Sequence, residues 1–65
     1  MKIVDSNLPI VGTRLFHSVE KWYGTIYRCR RQRNKLIGFV WVCDSYKTVD
    51  ITNCLWDNDK QYWVL

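Results

Sequence analysis

Aromatic and β-branched residues come in runs of five to eight along this chain, and no window keeps apolar residues at helical spacing for three turns. That pattern selects strands over helices. The predicted strands cover residues 13–19, 22–30, 35–43, 46–52 and 61–65. Between the last two, the stretch NCLWDND carries the turn-forming Asn53, Asp57, Asn58 and Asp59, and reads as a connection with room for one short helical turn before the last strand. The expected architecture is all-β: a small five-stranded barrel, closed or nearly closed, in a single domain over residues 1–65.

A chain of 65 residues buries only about 60% of the surface its unfolded form exposes. Four Trp, four Tyr and two Phe supply the dense core that this requires, each ring burying roughly 150–250 Å². Ten such rings exceed what so small an interior holds, so a partly exposed aromatic surface is expected. Trp41, inside the apolar run LIGFVWVC, is expected to be a core ring.

The central hairpin has two candidate registers. A two-residue turn at Arg33 and Asn34 sets Cys29 across from Gly38 and Ile26 across from Trp41, and a four-residue turn shifts both by two. In either, a residue of the second strand faces Gly38, whose missing Cβ lets a neighbouring side chain lie over it where a small sheet bends. Neither register sets Cys29 opposite Cys43, so no disulfide is expected between them.

The segment VGTRLFHSVEKWYGTIYRC, residues 11–29, resembles the opening of SH3-like and Tudor-like barrels. The matching positions are Gly12 at the start of the first strand, Leu15, His17, and Tyr23-Gly24-Thr25-Ile26 at the start of the second. The resemblance implies a small SH3-like or Tudor-like barrel of the nucleic-acid-associated kind. It also implies a structural role for His17 near the first turn.

Three Cys and one His could make a zinc site, but His17, Cys29, Cys43 and Cys54 are widely spaced and form no C-x-x-C pair. Free Cys is commonly a small buried hydrophobe. No metal and no other cofactor is expected. His17 and Ser18 are adjacent on a strand and point to opposite faces, which leaves no nucleophile and base pair. Asp44, Asp50, Asp57 and Asp59 sit near turns, where Asp bonds local backbone. Binding, not catalysis, is the expected activity.

The strongest binding signal is RCRRQRNK, residues 28–35. Arg28, Arg30, Arg31, Arg33 and Lys35 are half of the chain's ten cations, in a protein of net charge +4. With Tyr27, Phe39 and Trp41 on the flanking strands, they combine a phosphate grip with stacking surfaces, a mixture suited to single-stranded DNA or RNA. Strict alternation would set Tyr27 with Cys29 on one face, and Arg28 and Arg30 with Ile26 on the other. The opposing reading is a solvated hairpin tip that keeps an aromatic sheet from associating edge to edge.

A second signal lies in Trp56, Tyr62 and Trp63, since alternation sends Tyr62 and Trp63 to opposite faces and one of them outside, where it could anchor a protein interface. The last strand, QYWVL, carries no charged residue and is expected at a sheet edge, open to a homodimer or a target strand. A short chain starting at Met1 also looks like phage-encoded regulators and inhibitors that dock on a larger host protein. The apolar run of residues 36–43 is far short of the roughly 18–20 residues needed to cross a bilayer. With no targeting signal and an odd number of Cys, a cytoplasmic setting without membrane attachment is expected.

Overall fold

The computed structural model describes all 65 residues. The chain is all-β. It forms β1 (Arg14–His17), β2 (Trp22–Gln32), β3 (Lys35–Val42), β4 (Ser45–Asp50), β5 (Leu55–Asp57) and β6 (Tyr62–Val64). They make one sheet in the order β4-β3-β2-β1-β6-β5, with β1 and β6 parallel and every other pair antiparallel.

This corrects the expected five strands and barrel: six strands form, and the outer strands β4 and β5 do not pair to close the sheet. The NCLWDND stretch contributes β5, and the expected helical turn before the last strand is reduced to one i→i−4 turn, in which the Gln61 N–H donates to the Asp57 carbonyl at 2.8 Å. Its turn chemistry acts at the expected Asp57, whose Oδ1 accepts the backbone N–H groups of Asp59 and Lys60 and frames the β5–β6 loop.

The sheet coils around one apolar face. Ile3, Leu15, Ile26, Leu36, Val40, Val42, Ile51, Cys54 and Trp63 are buried there. The link from β4 to β5 runs under this concave side between the two edges, driving Ile51 and Cys54 into the core. Its backbone is tied by Ile51 N–H to the Leu36 carbonyl and by Ile3 N–H to the Cys54 carbonyl. Thr52 completes the corner: its hydroxyl accepts the Leu36 N–H at 2.8 Å and donates to Asp50 Oδ1 at 2.6 Å. These bonds hold the Asp50 carboxyl below its ordinary range, the Thr52 hydroxyl contributing most and the Thr52 N–H next.

Glycines let the coil tighten at two places. A Cβ on Gly24 would run into Val40 Cγ1 and lie 2.9 Å from the Trp41 carbonyl oxygen, so β2 and β3 approach closely only because it is absent. Gly38 pairs with Cys29 as the two-residue turn requires, but the side chain lying over it is Ile51 from the crossing link. From Cys29 toward the tip the two-residue register holds. Beyond it the pairing slips at Tyr27, and Ile26 faces Val40 in place of Trp41.

The last strand is not an edge. β6 lies between β1 and β5, so the expected pairing of QYWVL with another chain has no open ladder to use. The outer side of β5 is bridged in turn by Lys2, and the Met1 carbonyl accepts the Trp56 N–H. The open edge is β4, where Lys47 sits opposite the buried Val40 and points to the core side, with its ammonium 6.0 Å from the centre of the Trp22 ring. An inward-pointing charge on an edge strand discourages strand addition.

Candidate nucleic-acid interface

The bulge at Tyr27 decides how the basic segment faces. One extra residue on β2 makes Tyr27 and Arg28 together oppose Phe39, and a bulge of this kind resets which residues face in. Ile26 and Cys29 therefore both turn toward the core, while Tyr27, Arg28 and Arg30 share the outer face. This corrects the expectation from strict alternation, which separated Tyr27 from Arg28 and grouped the arginines with Ile26. The cost falls on Cys29, whose thiol is pushed up by burial.

Ladder partners share a face, and the registers set seven of the ten rings on the side away from the core: Phe16, Tyr23, Tyr27, Phe39, Trp41, Tyr46 and Tyr62. Trp41 is 48% exposed and Tyr46 65% exposed, which overturns the assignment of Trp41 to the core. Trp41 is displaced because its register partners, Thr25 and Tyr46, both look outward. The core is filled instead by Val40, Val42 and the crossing link.

One group of rings is continuous over β2, β3 and β4. Trp41 lies near-parallel to Tyr46, with centroids 6.0 Å apart. Tyr27 meets Tyr46 edge-on at 6.1 Å and leans on Phe39 at 6.3 Å. Tyr27, Trp41 and Tyr46 line an apolar depression between them. The Arg28 guanidinium carbon sits 5.4 Å from the Phe39 ring centre, a cation–π placement that holds the charge at the border of the rings.

The five cations do not converge. Arg28 and Arg30 lie on the aromatic face, and Lys35 joins them at the start of β3, near Asp50. Arg31 pairs with Leu36 and faces the other side. Arg33 occupies the hairpin tip with φ 55°. No guanidinium in the chain takes part in a side-chain hydrogen bond within it, so the donors of Arg28 and Arg30 are uncommitted.

Trp56, Tyr62 and Trp63 divide as alternation requires. Trp63 is fully buried, with its ring edge-on to Trp56 at 5.1 Å, so Trp63 is a core residue and its expected interface role is corrected. Trp56 is half-buried on the same side, and Tyr62 lies on the outer face against Phe16 and Tyr23. Burial pushes the Tyr62 hydroxyl above its ordinary value.

His17 has a structural role. Its Nδ1 accepts the Glu20 N–H at 3.0 Å, closing the β1–β2 loop, and its ring rests 5.1 Å from Trp22. Cys29, Cys43 and Cys54 are all free thiols, and no three His, Cys, Asp or Glu side chains cluster as a metal site. No helix is long and apolar enough to cross a membrane.

Tyr46 and Arg14 are among the contributors to the outer face that escaped the sequence reading, as is Phe16 on β1. Tyr46 was hidden by its place beside a turn, although a two-residue connection at Cys43 and Asp44 fixes it opposite Trp41. Arg14 lies far in sequence from the basic segment and reaches the same face only through the β1–β2 pairing. No family model matches the chain, and neither a curated protein nor a solved structure matches it.

Proposed function

We propose that the protein is a non-enzymatic binding module that takes single-stranded nucleic acid on the outer face of its sheet. One observation carries the proposal: Tyr27, Trp41 and Tyr46 form an exposed patch backed by the half-buried Phe39 and bordered by Arg28 and Arg30, whose guanidinium donors make no side-chain hydrogen bond within the fold. Every base has a flat π-face, so exposed rings bind bases with little sequence preference, while nearby cations hold the backbone. Three free thiols support a reducing, cytoplasmic setting.

The test is the affinity of a labelled thymidine oligonucleotide at low salt, repeated as salt is raised. About three neutralised phosphates, at roughly 0.7 counterions released each, give a slope of log affinity against log salt near −2. Replacing Arg28 and Arg30 by Gln should flatten that slope, and Trp41→Ala should weaken binding by roughly 1–3 kcal/mol without changing it. Absence of binding by the parent protein at low salt would refute the reading.

A second reading, docking on a larger protein as a small phage-type regulator, is favoured by the exposure of Trp41 and Tyr46, since Trp and Tyr are the usual anchors of interfaces. Binding to a target protein that persists after nuclease treatment, together with indifference to oligonucleotides, would select it.

A further inference from the structure

Resting on the nucleic-acid reading, we propose that the outer face holds a second stacking station, and that a single strand crosses the sheet from β4 to β6 with Arg14 gripping the backbone between the two stations. The second station is formed by Phe16, Tyr23 and Tyr62. Phe16 and Tyr23 lie 4.6 Å apart, Tyr62 lies 5.7 Å from Tyr23 and 6.0 Å from Phe16, and Tyr23 is 56% exposed.

The registers align both stations in one row. Tyr46 pairs with Trp41, Trp41 with Thr25, Thr25 with Arg14, and Arg14 with Tyr62, so five neighbouring strands each present one outward side chain along a line across the sheet. Rings stand at positions on either side of Arg14, the one cation of the row, and Asp57, paired with Tyr62 on β5, closes its far end. Arg14, Tyr23, Thr25, Trp41 and Cys43 line the depression that joins the stations. The Arg14 guanidinium makes no side-chain hydrogen bond within the fold, which leaves its donors to a phosphate.

Spacing selects the ligand. Trp41 and Tyr62 are three strands apart, about 14 Å at the usual separation of neighbouring strands. Stacked bases in one strand rise only about 3.4 Å, so bases at the two stations are separated by splayed nucleotides, a conformation open to a single strand and denied to a duplex. The occupant is a single-stranded polynucleotide of at least about four nucleotides, the lower end of site sizes on small β domains.

The experiment compares a thymidine dinucleotide with a thymidine hexanucleotide, titrated at low salt and followed by the amide and indole NMR signals of the full chain. In the parent the hexanucleotide should bind about tenfold or more tightly than the dinucleotide, the gain expected from one further stacked base. The variant Arg14→Gln/Tyr62→Thr should lose about tenfold of the hexanucleotide affinity, keep the dinucleotide affinity and its shifts around Trp41, and retain only the smaller length gain that the phosphate contacts of Arg28 and Arg30 provide. Two results would overturn the second station alone: parent affinity independent of length, or an undiminished length gain in the variant. If neither oligonucleotide binds the parent, the nucleic-acid reading falls and the second station falls with it.

Discussion

The two faces of the sheet use the same kind of residue for opposite ends. On the concave side Trp63 is fully buried, with its indole N–H lacking an acceptor and its ring set edge-on to Trp56. On the other side Trp41 keeps 48% of its surface in water and packs against Tyr46. Both rings lie within strands and both have an aromatic ladder partner. Aromatic content alone therefore says nothing about burial in a domain this small. Register does, and here it turns on one bulge and two close-packed glycines.

The largest effects should come from exchanging the fates of these two rings. Trp63→Ala should cost roughly 3–5 kcal/mol, enough to unfold much of the protein in a denaturant titration. Trp41→Ala should leave the unfolding midpoint within the scatter usual for surface changes, about ±0.5 kcal/mol, while weakening oligonucleotide binding by roughly 1–3 kcal/mol. Equal destabilisation by both would break the distinction between the faces.

Thiol chemistry separates the faces next. Burial, helped by Asp50, pushes the Cys54 thiol up to about 12, whereas its ordinary value is 9.0. Between those values the unfolded chain releases a proton that the folded chain keeps, so stability should be intact below about pH 9 and fall progressively toward pH 12. Cys54→Ala should flatten that alkaline loss. Under native conditions an alkylating reagent should modify the exposed Cys43 first and the buried Cys54 last.

Smaller in extent is the corner that lets the link from β4 to β5 turn beneath the sheet. Thr52→Val removes the hydroxyl that accepts the Leu36 N–H, and leaving that donor unpaired should cost about 1–3 kcal/mol in chemical denaturation. The outer face should keep its affinity for oligonucleotides.

The smallest effect concerns the hairpin tip. Arg33 holds φ 55° at the first position of a two-residue turn, where glycine is the unstrained choice. Arg33→Gly should stabilise the fold by about 1 kcal/mol and leave nucleic-acid affinity nearly unchanged, because the tip is apart from the aromatic face. A large loss of affinity would return the binding role to the tip.

Much of the molecule was legible in its sequence. The runs WYGTIYRCR and KLIGFVWVC carry β propensity strong enough to fix β2 and β3, and the two-residue turn at Arg33 and Asn34 sets their register as far as Cys29. Beyond that point the bulge at Tyr27 intervenes. It arises where β2 passes from pairing with both β1 and β3 to pairing with β3 alone, a tertiary circumstance with no local signature. β5 was missed because Leu55–Asp57 is three residues long and bordered by turn formers on both sides. It exists because β6 and the amino-terminal residues flank it. Of the site, the cations and Trp41 stood out by composition. Arg14, Tyr23 and Tyr46 join them only once the strands are laid side by side.

The most direct measurement uses the four indole N–H signals of the chain, followed by NMR as a thymidine oligonucleotide is added at low salt. The Trp41 signal should shift in a saturable way, together with the amides of Tyr27, Arg28, Phe39 and Tyr46, while Trp63 stays in place. A stationary Trp41 signal, or shifts confined to the hairpin tip around Arg33, would contradict an aromatic outer face that binds nucleic acid.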